Sequence, residues 1–206
     1  MLFRSKVSTK IELLSFMTRK VDLLAIGGAM ANTFLFAKGR PVGRSLCEQD
    51  LVDHARIILS NAEEDGCDII LPEDAVTAEK LEPGVLTRTV GVHAVPMNAM
   101  ILDVGPQTVA RISLALEASR TLIWNGPIGA FETPPFDRAT TAIAKKIAEL
   151  TGAGKLMSVA GGGDTVAALA AAGVTDRLSY VSTAGGAFLE WLEGRELPGV
   201  AALAVD

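Results

Sequence analysis

From Ser158 to Gly173 the chain reads SVAGGGDTVAALAAAG: an apolar strand-like run, three glycines, an aspartate, a threonine and an alanine-rich helical stretch. Gly161, Gly162 and Gly163 suit a tight turn into a helix that begins near Asp164 or Thr165. A helix N-terminus presents free N–H groups and a partial positive charge, which together attract a phosphate. Thr165 adds a hydroxyl donor. Asp164 has two readings. As an N-cap it accepts helix N–H bonds. As a functional group it repels a neighbouring phosphate unless a divalent cation stands between them, and Mg²⁺ held by one carboxylate and substrate phosphates is the usual arrangement. The local residues leave these two readings level.

Such a turn works only if strands and helices place it. Apolar runs alternate with helical stretches along the chain. VDLLAI (Val21 to Ile26) stops at Gly27-Gly28 and leads into ANTFLFAKG; an amphipathic helix is expected from Glu48 to Glu64. CDIIL stops at Pro72, and MILDV stops at Gly105-Pro106 before a helix from about Gln107 to Ala118. TLIW stops at Asn125-Gly126-Pro127 before a helix from Phe136 to Leu150. KLMSVA stops at Gly161, and SYVST stops at Ala184-Gly185-Gly186 before a last helix carrying FLEWLEG. Strands separated by helices of this length predict βα units and a parallel sheet with right-handed crossovers. The expected fold is α/β, a Rossmann-like three-layer domain with a mostly parallel sheet flanked by helices, in one domain over residues 1–206.

Glycine follows five of these strands, at Gly27, Gly105, Gly126, Gly161 and Gly185. In one parallel sheet those ends share an edge, and ligands of open α/β sheets bind outside it. The 206 residues are 49% hydrophobic, which is enough for a large core, and carry a net charge of −5 with no basic stripe for nucleic acid. No apolar run reaches the roughly 18 residues of a membrane span. Cys47 and Cys67 form no metal or redox pair and read as reduced thiols of a cytoplasmic protein. Two tempting motifs fail. TGAGKL has Glu149 and Leu156 where a P-loop needs glycine and Ser or Thr, and GGAMAN is not the dinucleotide fingerprint. His54 and His93 are single, with no catalytic partner.

WNGPIGAFE (Trp124 to Glu132) is more specific. With SKVSTKI, IGGAMANTF, GRSL, LDVGPQT, AGGGDT, VSTAGGA and LEGRELPGV, all in order between Ser5 and Leu203, the chain resembles the C-terminal, nucleotide-binding half of phosphoglycerate kinase. The resemblance implies a cytoplasmic glycolytic enzyme. It exchanges a phosphoryl group between 1,3-bisphosphoglycerate and ADP, giving 3-phosphoglycerate and ATP with Mg²⁺. It also implies a monomer for the full-length form, with no nucleic-acid or membrane partner.

The same resemblance assigns residues. Lys6 would meet the transferring phosphoryl group and Lys10 the nucleotide phosphates. Gly27, Gly28, Leu46, Gly105 and Pro127 would line the adenine and ribose pocket, and Glu132 would bond the ribose hydroxyls. Asn125 would contact the nucleotide near its phosphates. Gly162, Gly163, Asp164 and Thr165 would form the phosphate loop, with Asp164 as the Mg²⁺ carboxylate. Gly185 and Gly186 would mark a helix N-terminus holding the transferred group. The chain departs from the family at Ala29 and Ala184, where glycine is usual, and at Phe3-Arg4-Ser5, where a Gly-Gly pair and a small residue should precede Lys6. The strand carrying that lysine motif is expected to be cut. The 3-phosphoglycerate site of the family lies in an N-terminal domain that this chain does not contain, so the isolated chain is expected to be inactive. The rival readings are a non-enzymatic nucleotide-binding fragment and, disfavoured by the absent fingerprint, a dinucleotide oxidoreductase domain.

Overall fold

The computed structural model describes residues 13–182. The calls on Lys6, Lys10, Gly185, Gly186, Arg4, Ala184 and the last helix lie outside them. The described chain runs β1 (Leu23–Ala25), α1 (Gly28–Ala37), α2 (Val52–Asp65), β2 (Asp68–Ile70), β3 (Asp74–Ala78), β4 (Arg88–Gly91), β5 (Met100–Val104), α3 (Pro106–Ala118), β6 (Thr121–Asn125), α4 (Arg138–Gly152), β7 (Met157–Gly161), α5 (Gly163–Ala171) and β8 (Tyr180–Ser182). The architecture is α/β, with mostly parallel sheets flanked by helices, as expected.

The helices form where apolar residues recur at three- and four-residue spacing. In α4, Ala139, Thr140, Ile143, Ala144, Ile147 and Ala148 make one buried stripe, and in α3 the stripe is Thr108, Ile112 and Leu116. These stripes meet Trp124 of β6, Ala160 of β7 and Leu169 of α5 in the largest core cluster. A second cluster packs Phe34 of α1 and Ile58 of α2 over the flank of β1 and β2. The amphipathic α2 stops at Gly66, whose φ of 74° is the left-handed conformation that glycine adopts without strain.

The sheet is where expectation and structure part. β1 pairs with β2 in parallel, and β6, β7 and β8 pair in parallel in the order β6-β7-β8. Between them stand two strands the sequence reading did not contain. β3 pairs antiparallel with both β4 and β5, giving the order β4-β3-β5. MILDV is therefore a strand, but not one of the parallel set. The glycine-marked strand ends do not all lie along the edge of one parallel sheet. Loop contacts tie the turn after β6 to two other strands: the Ala130 N–H donates to the Leu102 carbonyl within β5 at 2.8 Å, and the Gly28 N–H, just after β1, donates to the Ile128 carbonyl at 2.8 Å. A smaller correction concerns α1, which begins at Gly28 rather than Ala31.

Candidate functional site

Parallel pairing fixes the centre of the site. The register sets Asn125 opposite Gly161 at the ends of β6 and β7, so the WNGP turn and the GGGDT turn lie side by side. Two hydrogen bonds stitch them together. Asn125 Nδ2 donates to the Gly161 carbonyl at 3.1 Å, and the Gly126 N–H donates to Thr165 Oγ1 at 2.7 Å. The WNGP turn is further pinned by Trp124 Nε1, which donates to the Gly126 carbonyl at 2.7 Å.

Gly162 carries a φ of 95°, a conformation that side chains disfavour, and this lets the chain turn from β7 straight into α5. It is also the N-cap of α5. Asp164 therefore does not cap this helix; it sits exposed in the first turn and makes no hydrogen bond or ion pair among the described residues. Thr165 is 1% exposed and its hydroxyl oxygen accepts the Gly126 N–H, so it ties two loops together rather than standing open as a donor.

The other strand-to-helix turns separate into open and plugged ones. At α3, the carboxylate of buried Asp74 accepts from the Gln107 N–H at 3.0 Å, the Thr108 N–H at 2.9 Å and Thr108 Oγ1 at 2.7 Å. Gly105 is glycine because a Cβ there would run into that carboxylate. At α4, buried Asp103 accepts the Ala139 N–H at 3.0 Å, and Gly129 leaves room for it. No side chain caps α1 or α5. Among the described strand-to-helix turns, those that no side chain plugs are the ones opened by Gly27-Gly28 and Gly162-Gly163. Gly105 belongs to the plugged kind.

Gly27 packs closely on the turn after Pro127: a Cβ on it would come within 3.0 Å of Ile128 Cα. The Ile128 and Gly129 N–H groups donate to Thr140 Oγ1 at 3.2 and 3.4 Å, which steadies that turn on α4. Leu46 lies on the loop after α1, 55% exposed, and its carbonyl accepts Asn32 Nδ2 at 3.1 Å. Asn32 is one turn along α1 from Gly28, roughly 6 Å along its axis. Gly27, Gly28 and Pro127 are thus brought together beside Asn125 and the GGGDT turn, and Leu46 stands on a loop bonded one turn farther along α1. Glu132 is exposed on the turn beyond Ala130, with no hydrogen bond or ion pair to the others.

Sequence reasoning missed Asn32, Asp74, Asp103 and Thr140. A signal existed for Asp74: α3 opens with Gly105-Pro106 and no local side-chain cap, so its cap had to come from elsewhere. Burial pushes the Asp103 carboxyl up to about 7, against the lowering effect of the Ala139 and Val104 N–H donors; nearby Asp137 adds to the rise. The folded chain then holds this proton to higher pH than the unfolded chain does. The stabilisation this gives is complete below about pH 4 and is lost as pH rises towards 7, at no more than about 1.4 kcal/mol per pH unit. Between pH 5 and 7 the urea midpoint of the parent should fall relative to Asp103→Asn. Parallel curves would remove Asp103 as the source.

Cys47 and Cys67 are free thiols, both pushed up by burial. His54 and His93 are exposed, away from these turns. Among the described residues no three His, Cys, Asp or Glu side chains gather as a metal cage, and no helix is long and apolar enough to cross a membrane.

Comparison with known proteins gives one answer. The family model described as phosphoglycerate kinase matches residues 4–195. The chain is 58% identical over 199 residues to a phosphoglycerate kinase of Rhodospirillum centenum, and 61% identical over 199 residues to one of Methylorubrum extorquens. Each alignment covers 97% of this chain and 50% of the relative. The solved phosphoglycerate kinase of Coxiella burnetii superimposes with a TM-score of 0.92 at 45% identity, again over 97% of this chain and 50% of that one. That of Pyrococcus horikoshii superimposes with 0.80 at 29% identity. The chain spans about half the length of the curated relatives it matches. With the family match over nearly all of its residues, and the GGGDT and WNGP turns stitched side by side, the chain belongs to the phosphoglycerate kinase family.

Proposed function

We propose that this chain supplies the Mg-nucleotide half of a phosphoglycerate kinase, which moves a phosphoryl group between 1,3-bisphosphoglycerate and ADP. The observation that carries this reading is the uncapped N-terminus of α5 lying against the Asn125-Gly126-Pro127 turn. The N–H groups and dipole of α5 bind the nucleotide phosphates at Gly162 and Gly163. Gly27, Gly28, Leu46 and Pro127 receive the base and ribose, Glu132 bonds the ribose hydroxyls, and Asn125 orients the phosphates. Gly105 supports this surface from below by admitting Asp74. Lys6 meets the transferring group, Lys10 the nucleotide phosphates, and Gly185 and Gly186 the transferred group.

Asp164 fits a cation carried on the nucleotide. A single exposed carboxylate with no partner and no cage among the described residues suits Mg²⁺ that keeps waters and takes its remaining ligands from phosphates. Bound there, Mg²⁺ offsets the charge of the phosphoryl group in transfer.

Phosphoryl transfer draws its rate from positioning and electrostatics, and effective molarities of about 10⁵–10⁸ M are lost when one substrate has no site. The residues assigned above serve the nucleotide and the transferred group, and none of them is assigned to phosphoglycerate. A coupled assay of the purified chain with ATP, 3-phosphoglycerate and Mg²⁺ is expected to show no turnover. Robust turnover abolished by Lys6→Ala would contradict the assignment of the second substrate to another domain.

A further inference from the structure

Asn32 is an odd residue for the interior of α1. It is 3% exposed, among residues that are otherwise largely apolar or bonded to the backbone. Its Nδ2 donates to the Leu46 carbonyl at 3.1 Å, while its Oδ1 is buried with no hydrogen-bond partner among the described residues. Burying that oxygen costs desolvation with no bond in return, so an apolar side chain would suit a purely structural position better.

The next residue does related work. Thr33 Oγ1 accepts the Glu48 N–H at 3.2 Å. Consecutive polar side chains of one helix therefore clamp both flanks of Cys47 and hold the loop that presents Leu46 to solvent. At the other end of the same face, one turn away, Gly28 is bonded to Ile128. The helix acts as a ruler between the Pro127 turn and the Leu46 loop.

We propose that Asn32 is a positioning residue for the base end of the nucleotide site, acting through Leu46, on the reading of that rim as a nucleotide site given above. It touches no ligand. It fixes the place of the leucine over α1 by gripping its carbonyl, and so sets the gap between Leu46 and the Gly27-Gly28 turn that the base would enter. The phosphates, bound at α5, do not sense this gap.

The test is a calorimetric titration of ADP and of pyrophosphate, each with Mg²⁺, into the whole chain and into Asn32→Ala, Leu46→Ala and the double variant. Asn32→Ala should weaken ADP about tenfold, the scale of one hydrogen bond lost from the support of the site. It should leave pyrophosphate unchanged. In the Leu46→Ala background the Asn32 change should cost less than about twofold more, because coupled residues are not additive. Equal losses on both ligands, or additive losses on ADP, would overturn the proposal and make Asn32 a packing residue. A parent that binds pyrophosphate but not ADP would overturn the base-site reading itself. If Asn32→Ala does not fold, the side-chain amide resonances of Asn32 in the parent provide the reading: they should shift on saturation with ADP and not with pyrophosphate, and no shift with ADP would overturn the proposal.

Discussion

Asp74→Ala is expected to lower the stability of the chain by about 3–5 kcal/mol, the sum of two or three hydrogen bonds to a charged group at about 1.5 kcal/mol or more each. The carboxylate is 3% exposed and takes both early N–H groups of α3 as well as the Thr108 hydroxyl. Without it the Gln107 and Thr108 N–H groups lose their acceptor, and Thr108 is buried where water reaches it poorly. A loss of this size should lower Tm by roughly 10 °C in a chain of about 200 residues. Asp74→Asn should fall between parent and Asp74→Ala, since an amide nitrogen cannot accept. Gly105→Ala should act in the same direction, because its new Cβ would press on the same carboxylate. Thermal and urea melts read all three. A parent-like Asp74→Ala would show that α3 has another cap.

Asp164→Asn should behave in the opposite way, sparing the fold and damaging the ligand site. The side chain is exposed, is not the N-cap, and has no partner among the described residues. Its negative charge in the first turn favours α5 by about 0.3–1 kcal/mol at most. The change in stability should stay within that range. Binding of Mg-ADP should weaken by about one to two orders of magnitude, the range seen when support for a bound metal is removed. Binding of ADP without Mg²⁺ should be unchanged or slightly tighter, because a carboxylate beside phosphates repels them when no cation intervenes. The two carboxylates thus differ in kind. Asp74 holds a helix and Asp164 is proposed to face a ligand, although both stand near helix N-termini.

What the sequence disclosed follows from how local each signal is. β1, β2, β5, β6 and β7 end long apolar runs, and the stripes of α3 and α4 repeat every three or four residues, so all were legible. β3 reads DAVTA and β4 reads RTVG. Their apolar residues do not alternate and form no long run, and they exist because each pairs with a partner elsewhere in the chain; no short window of sequence contains that pairing. The GGGDT turn was legible because the glycines that make it are neighbours in the chain. The Asp74 plug was not, since Gln107 and Thr108 are 33 and 34 residues away from it. Gly105 shows the consequence. Its place after a strand suggests a ligand, and its buried contact shows that it admits a carboxylate. Asn32 was hidden for the same reason, because its partner Leu46 is 14 residues on.

A calorimetric titration of ADP, with and without Mg²⁺, into the parent chain and Asp164→Asn addresses the Mg-nucleotide site most directly. The parent should bind Mg-ADP more tightly than ADP alone, and Asp164→Asn should lose that difference while melting close to the parent. No heat from the parent at millimolar Mg-ADP, or equal Mg-ADP affinities for the two proteins, would contradict the assignment of α5 and Asp164 as the nucleotide and metal end of the site.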